Sequence, residues 1–462
     1  MKRIIYILLL VLMAAQISGC KKFLYQEPYN NISITDIFKD LEGARTTLAG
    51  SYEQLKSINY YLKDFSAYAE LTAGNIKYSK ISNRALLSSY DFNNDANLND
   101  MALFFRTAYN IIYNTNTIIA NINNVADASA LQKNKLLADA YALRALVHFD
   151  LNRVFAQSFS FTADASHPGI FIKNQLSSVL TPFGTPESSR EVFNQVKSDL
   201  DSAILLYPNS VNIFTVGNDK TYFSLDAAKA LKSRVALYTN DWPTVISLCT
   251  DIIGSNRYPL LSNSAYVNSW RGKNISSESI FEVAFGNSIA GSLGDYYNPT
   301  NTFYGQFASS NDLLNLYSAG DVRGPSFMFV TANINSTTFY FSRKYQGMND
   351  SANNIKVIRN SELYLNRAEA YAESNNLTAA LADLNIIRRR ANTTAVIFSS
   401  TDQQTVINEI LAERRRELCF EAHTFFDFSR KRKNLIRTDC VGAACSFTYP
   451  DSRFACIIPR IN

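Results

Sequence analysis

Glu413, Glu417 and Glu421 recur at intervals of four within a helical apolar pattern, so the spacing places three carboxylates on one helix face. Two acids so placed could act as the proton donor and acceptor of a glycosidase. Such a stripe more often makes ion pairs with arginines, here Arg416 or an adjacent helix, and pairing is the reading adopted. His148, His167 and His423 are the only histidines. His148 falls within a helical pattern, His167 precedes Pro168, and His423 reads as a structural hydrogen-bonding residue. The chain has no Gly-x-Ser-x-Gly elbow, Walker loop, Gly-x-Gly-x-x-Gly turn or His-Glu-x-x-His helix. No catalytic residue, metal ligand or cofactor is therefore assigned. The basic run Arg430 to Lys433 reads as a solvated helix end rather than a nucleic-acid patch, because acids lie close to it.

Rings beside polar groups suit another kind of chemistry. Sugars offer apolar C–H faces to aromatic rings and hydroxyl edges to amides, carboxylates and guanidiniums. The chain has 26 Tyr, 30 Phe and 2 Trp. The densest mixture is Asp295-Tyr296-Tyr297-Asn298 followed by Phe303, Tyr304 and Gln306. Trp270-Arg271 comes earlier, and Tyr60, Tyr61 and Asp64 form a third group. These are the candidate ligand contacts.

The elements that would position them can be read along the 462 residues. Lys2 and Arg3 precede an apolar run at 4–15, long enough for a signal peptide and short of a membrane span. Ile17-Ser18-Gly19-Cys20 resembles a bacterial lipobox, which makes 1–19 the expected leader and Cys20 the expected site of lipid attachment. Removing Lys2 and Arg3 lowers the formal charge from +5 to +3, too little to imply a nucleic-acid surface. With 47% apolar and 18% charged residues, the chain is neither disordered nor fibrous. Cys249 and Cys419 lie in helical apolar patterns and read as small core residues. Cys440, Cys445 and Cys456 cluster near the C-terminus, where a local disulfide from Cys440 to Cys445 or Cys456 is expected.

Apolar spacing of three and four predicts helices over 36–57, 101–122, 131–155, 188–207, 225–239, 242–253, 361–374, 377–391 and 403–421. The pairs at 224–253 and 361–390 match at an offset of 135. Ser233, Ala236 and Asn240-Asp241-Trp242 in one answer Ala368, Tyr371 and Asn375-Asn376-Leu377 in the other. Small residues before an Asn/Asp turn follow the helix–turn–helix logic of tetratricopeptide repeats. Long insertions rich in Asn, Ser, Gly and aromatics occupy 59–99, 158–187 and 258–360, with strand-like runs at 279–285 and 337–341. The expected fold is mostly α: tetratricopeptide-like helix pairs, irregular loop-rich insertions and minor β, in one domain over 20–462.

From end to end the chain resembles the SusD/RagB family of outer-membrane nutrient-binding lipoproteins of Bacteroidetes. The likeness is carried by Cys20-Lys21-Lys22-Phe23-Leu24 with Pro28, by Tyr52-Glu53-Gln54-Leu55, and by Phe105 with Tyr109, Ile112 and Asn116. It continues through the Ala-x-x-Leu-Arg-Ala helix from Ala140, Asp321-Val322-Arg323, and Ser361-Glu362-Leu363-Tyr364 with Ala368-Glu369-Ala370-Tyr371. The run Glu413-Arg414-Arg415-x-Glu417-Leu418-x-Phe420-Glu421-x-His423, with Phe426-Asp427 and Arg430, matches most fully. Asn75 stands where the family often carries an Asp-Asn pair, with Gly74 in place of the acid. It joins the candidate contacts on that ground.

The resemblance implies a lipid-anchored, surface-exposed outer-membrane protein. It would capture an oligosaccharide, less often a peptide, and deliver it to a SusC-like TonB-dependent transporter without breaking a bond. The rival readings are a secreted glycoside hydrolase and a helical-repeat interaction scaffold. Product chromatography separates the first from capture, and absence of sugar binding marks the second.

Overall fold

A computed structural model describes residues 33–80, 83–176, 184–214, 219–270, 275–284, 290–345, 354–440 and 443–460. The expected leader, Cys20 and Arg271 lie outside them. In chain order the longer helices are α1 (Leu41–Leu55), α2 (Asp64–Ala73), α3 (Ala102–Asn121), α4 (Ala130–Phe155), α5 (Ser189–Leu206), α6 (Leu225–Tyr238), α7 (Trp242–Gly254), α8 (Asn360–Glu373), α9 (Leu377–Ala391), α10 (Gln403–Leu418) and α11 (Thr424–Arg430). All nine helices expected from the sequence form. None of the described helices is long and apolar enough to cross a membrane.

Caps set many of the boundaries. Ser129 and Ser188 form capping boxes with Gln132 and Glu191, starting α4 and α5 by meeting amide N–H groups that helices leave free. The two related turns are built alike. Asn240 and Asn375 both take left-handed backbone (φ 58° and 60°), which asparagine tolerates better than most residues. Asp241 and Asn376 then cap α7 and α9 by accepting from the Thr244 and Ala379 N–H groups. The N–H of Asp241 reaches back to the Ala236 carbonyl (2.9 Å) and that of Asn376 to Tyr371 (2.8 Å), closing equivalent loops. Between these pairs α7 packs on α8, and α8 packs on α10.

Close packing here depends on small side chains. Ala368, Ala372 and Ala380 have no exposed surface and share a core with Leu365, Leu384, Ile387 and Ile410. Replacing Ala368 with leucine forces extra methylenes into a filled interface, and we expect a loss of about 1–3 kcal/mol. Urea unfolding measures it; an unchanged midpoint would show that the helices do not need this close approach.

The insertions contain more order than their composition suggests. The first holds α2, whose ten residues are all buried. A helix surrounded on every side has no polar stripe, so spacing does not reveal it. The second lies along α3 and α4: the Tyr109 hydroxyl donates to the Phe171 carbonyl (2.8 Å), and the Asn116 amide reaches Lys173 and Gln175 carbonyls (both 3.1 Å). The third carries most of the strands, which form antiparallel pairs. Apart from the short pair Leu435–Ile436 and Ser446–Phe447, the strands are β1 (Ile76–Tyr78) of the first insertion and β2 (Ser279–Val283), β3 (Phe307–Ser309), β4 (Phe329–Ile334), β5 (Thr337–Ser342) and β6 (Ile355–Arg359) of the third. β1 pairs with β3, β2 with β6, and β4 with β5. Cys440 and Cys445 are joined by a disulfide, while Cys249, Cys419 and Cys456 are free and buried.

Candidate functional site

The acid stripe belongs to the interior. α10 ends at Leu418, and Phe420 and Ala422 take left-handed backbone, so Glu421 leaves the helix face shared by Glu413 and Glu417. All three nevertheless meet one cluster of cations. Glu417 accepts from Arg323 (2.8 Å), Arg359 (2.6 Å) and Arg390 (2.5 Å), and Glu413 pairs with Arg323 (2.7 Å). Glu421 pairs with Arg359 (2.7 Å) and Lys344 (2.8 Å). Burial pushes the Glu417 carboxyl up, but the guanidiniums of Arg390, Arg359 and Arg323 outweigh it and hold the pKa well below the usual range. Arg416 pairs with Glu413 as expected (2.7 Å), yet most partners come from distant segments. Carboxylates held this way cannot reach a sugar. The basic run requires a correction: Arg430 is buried and paired with Glu369 (2.5 Å) and Asp427 (2.7 Å), so it does not form a solvated helix end.

The histidines are similarly enclosed. Burial lowers His148 to about 3 and, with the help of nearby arginines, holds His423 well below the ordinary imidazole value. His423 Nδ1 has no hydrogen-bond partner, while the His423 carbonyl accepts from the Asp427 N–H (2.9 Å).

The candidate ring residues divide by accessibility. Trp270 is 1% exposed and is surrounded by Lys356 (4.2 Å), Lys344 (4.5 Å) and Arg359 (5.5 Å) against its indole ring. Tyr60 and Tyr61 are also interior, their hydroxyls donating to the same Asp150 oxygen (2.8 and 2.6 Å). Tyr296 and Tyr297 pack against Phe307, and Tyr297 also meets Phe420. Asp64 is buried beside Lys63 (3.0 Å), and burial raises its carboxyl to about 6. Asn75 is fully buried; its amide donates to Glu70 (2.6 Å) and Thr424 (2.9 Å), and its oxygen accepts from Arg415 (2.8 Å). Seven expected contacts therefore support the fold from within. A large ring is equally suited to core and to ligand, and composition does not distinguish the two. Replacing Trp270, Tyr296 and Tyr297 with alanine would consequently report on folding, not on binding.

Asp295, Asn298, Phe303 and Tyr304 do reach the surface. Phe303 is 71% exposed and stands edge-on to half-buried Tyr304 (4.7 Å, 84°), which leans on Tyr296 (5.5 Å). Their loop is anchored. Asp295 accepts from the Gly291 N–H (2.7 Å) and the Asn301 amide (3.1 Å), while Asn301 accepts from the N–H groups of Phe303 and Tyr304. Gly305 lacks the side chain that would strike the Asn298 carbonyl, at 2.1 Å from a Cβ. That clash explains glycine at this position.

The first and third insertions meet here. Besides the β1–β3 ladder, the Leu293 N–H donates to the Leu62 carbonyl (2.9 Å) and that of Ser79 to Gln306 (3.0 Å). The Gln306 side chain clasps the first insertion, accepting from the Ala85 N–H (3.0 Å) and donating to the Asn83 carbonyl (3.2 Å). This contact brings in residues that composition did not mark: Tyr78 against Tyr90 (5.0 Å), Arg84 over Tyr78 (5.3 Å), and Lys80 donating to the Thr302 carbonyl (2.7 Å). Alternation along β1 was the available signal for Tyr78, but three residues are too few to reveal it. A separate cleft of about 210 Å³ lies between the 89–94 segment and the tail, lined by Tyr68, Phe92, Asn94, Arg453 and Cys456.

These features define an α-rich protein of tetratricopeptide-like pairs whose insertions assemble an anchored aromatic surface. Residues 331–437 match the SusD family model, and residues 22–237 match a model described as starch-binding associating with outer membrane. A SusD-like protein, P38, of Formosa agariphila is 23% identical, covering 94% of this chain and 92% of its own. A SusD superfamily structure from Bacteroides thetaiotaomicron superposes with TM-score 0.81 at 25% identity, covering 91% of this chain and 96% of its own. A SusD-like carbohydrate binding protein from Bacteroides vulgatus gives 0.71 at 21% identity, covering 86% and 85%. The two family models, the relatives and the solved structures all support membership of the SusD/RagB family.

Proposed function

We propose that the protein captures a glycan at the outer membrane and passes it, unmodified, to a SusC-like TonB-dependent transporter. Cys20 would carry the lipid that holds it there. Two or more acyl chains anchor stably because each buried methylene contributes ~0.8 kcal/mol. The observation that carries the reading is Phe303, an exposed ring backed by Tyr304 on a loop fixed by Asp295 and Asn301. A prearranged ring can stack on a sugar without first paying the entropy of ordering its loop. Asn298 and Tyr304 offer polar atoms beside it. The internal pairing of Glu413, Glu417 and Glu421 supports capture over hydrolysis, and names borne by relatives point to carbohydrate.

Phe303→Ala should weaken oligosaccharide binding about two- to tenfold, because one aromatic contact contributes ~0.5–1.5 kcal/mol. The melting temperature should not move, since the ring is exposed. Calorimetric titration alongside thermal melting checks both, and undiminished affinity would remove this surface from the mechanism. Attachment is tested by labelled fatty acid, expected on the wild type and lost in Cys20→Ala. Delivery is tested by co-purification with a transporter encoded nearby.

A further inference from the structure

The charge around the exposed rings is unevenly distributed. Lys80 extends to the Thr302 carbonyl (2.7 Å) and the Asn301 carbonyl (3.4 Å), neither of which neutralises it. Arg84 lies on the Tyr78 ring at 5.3 Å. Lys63 projects over Tyr296 at 5.5 Å but is paired with Asp64 (3.0 Å). Of the carboxylates near this rim, Asp64 and Asp439 are ion-paired, while Asp295 and Asp100 accept from neutral N–H groups. Asp295 holds its own loop through Gly291 and Asn301. Asp64 is buried beside Lys63. Asp100 accepts from the Ser89 N–H (2.8 Å), and Asp439 is paired with Lys77 (2.7 Å). Asp91 is exposed beyond Tyr90, over whose ring the Arg437 guanidinium lies at 4.4 Å. Beside the exposed rings, Lys80 and Arg84 are therefore cations without a carboxylate ion-pair partner among the described residues.

We infer that the glycan taken by the Phe303–Tyr304 surface is anionic, with its carboxylate or sulfate groups meeting Lys80 and Arg84 while a sugar face stacks on Phe303. This rests on the capture reading given above and specifies its substrate class. A neutral glucan would leave both cations without a counter-ion. A uronate or sulfate ester gives each a charge-assisted bond, and the planar guanidinium of Arg84 can bind two oxygens at once.

The test is calorimetric titration of the full mature chain with three oligosaccharide sets: neutral glucans, oligouronates and sulfated galactans. We expect an anionic set to bind at least about tenfold tighter than the neutral one and to weaken as salt rises. Comparing uronates with sulfates identifies the anion. Arg84→Gln should lower that affinity about tenfold and flatten the salt dependence, whereas Arg84→Lys should restore part of it. Lys232→Ala, on the outer face of α6, should change neither. Lys80 also braces the 301–302 loop, so Lys80→Ala is interpreted only alongside the Arg84 pair. Neutral glucans binding as tightly as anionic ones would overturn the inference while leaving capture standing. Anionic binding unaffected by Arg84→Gln would also overturn it. Binding of none of the three sets would overturn both readings.

Discussion

Glu417→Leu should not yield a folded protein. The single carboxylate receives Arg323, Arg359 and Arg390, each about 3% exposed or 6% in the case of Arg390. Removing one partner of a buried pair costs about 3–5 kcal/mol, because the remaining charge is left without solvent or counter-ion. Here three cations lose a ligand together, against a total stability on the order of 5–15 kcal/mol. Glu417→Gln keeps the shape and one acceptor oxygen, so it should fold with a much lower melting temperature. Near-ultraviolet circular dichroism and thermal melting measure both. A leucine variant melting within a few degrees of wild type would mean that the cluster does not hold this part of the fold. The pH dependence has a definite sign. Since the arginines depress the Glu417 pKa, its stabilisation is present above the ordinary carboxylate range and is lost as pH falls through the depressed value.

Glu70→Gln should behave oppositely, gaining on wild type as pH rises. Glu70 is fully buried, has one oxygen on Asn75 (2.6 Å) and one without a partner, and burial lifts its carboxyl from 4.5 to about 7. A raised acid is most favourable to folding while protonated: its contribution is intact below about 4.5 and is lost as pH rises through about 7. The shift corresponds to about 3 kcal/mol at the plateau. Glutamine keeps an acceptor for Asn75 but cannot ionise. The stability difference between variant and wild type should therefore grow between pH 4.5 and 7 and flatten above. Urea unfolding at several pH values reads it, and a difference independent of pH would show that folding does not raise the Glu70 pKa.

The sequence made the helical frame legible because long amphipathic segments bury one stripe each, and that stripe recurs every three or four residues. The Asn240 and Asn375 turns were legible for the same local reason. What it hid depends on distant neighbours. α2 lacks a polar face because other segments cover all of it. Glu417 was recognisably a pairing residue, but Arg323, Arg359 and Arg390 come from three other segments that periodicity cannot bring together. Within the ring clusters, Phe303 and Tyr297 look interchangeable until β3 and the Asp295 anchor turn one outward and the other inward. Tyr78, Lys80, Arg84 and Tyr90 escaped notice because their relevance arises only from the pairing of β1 with β3.

That pairing also imposes a timetable on the molecule. The clasp from Gln306 to Ala85 spans 221 positions, and the Asn75–Thr424 bond spans 349. A chain emerging amino-end first makes its first insertion long before the segments that complete it. Contacts so remote along the chain are slow to close. The Phe303–Tyr304 surface should thus be among the last parts to mature, and a polypeptide interrupted before residue 306 would carry helices without it.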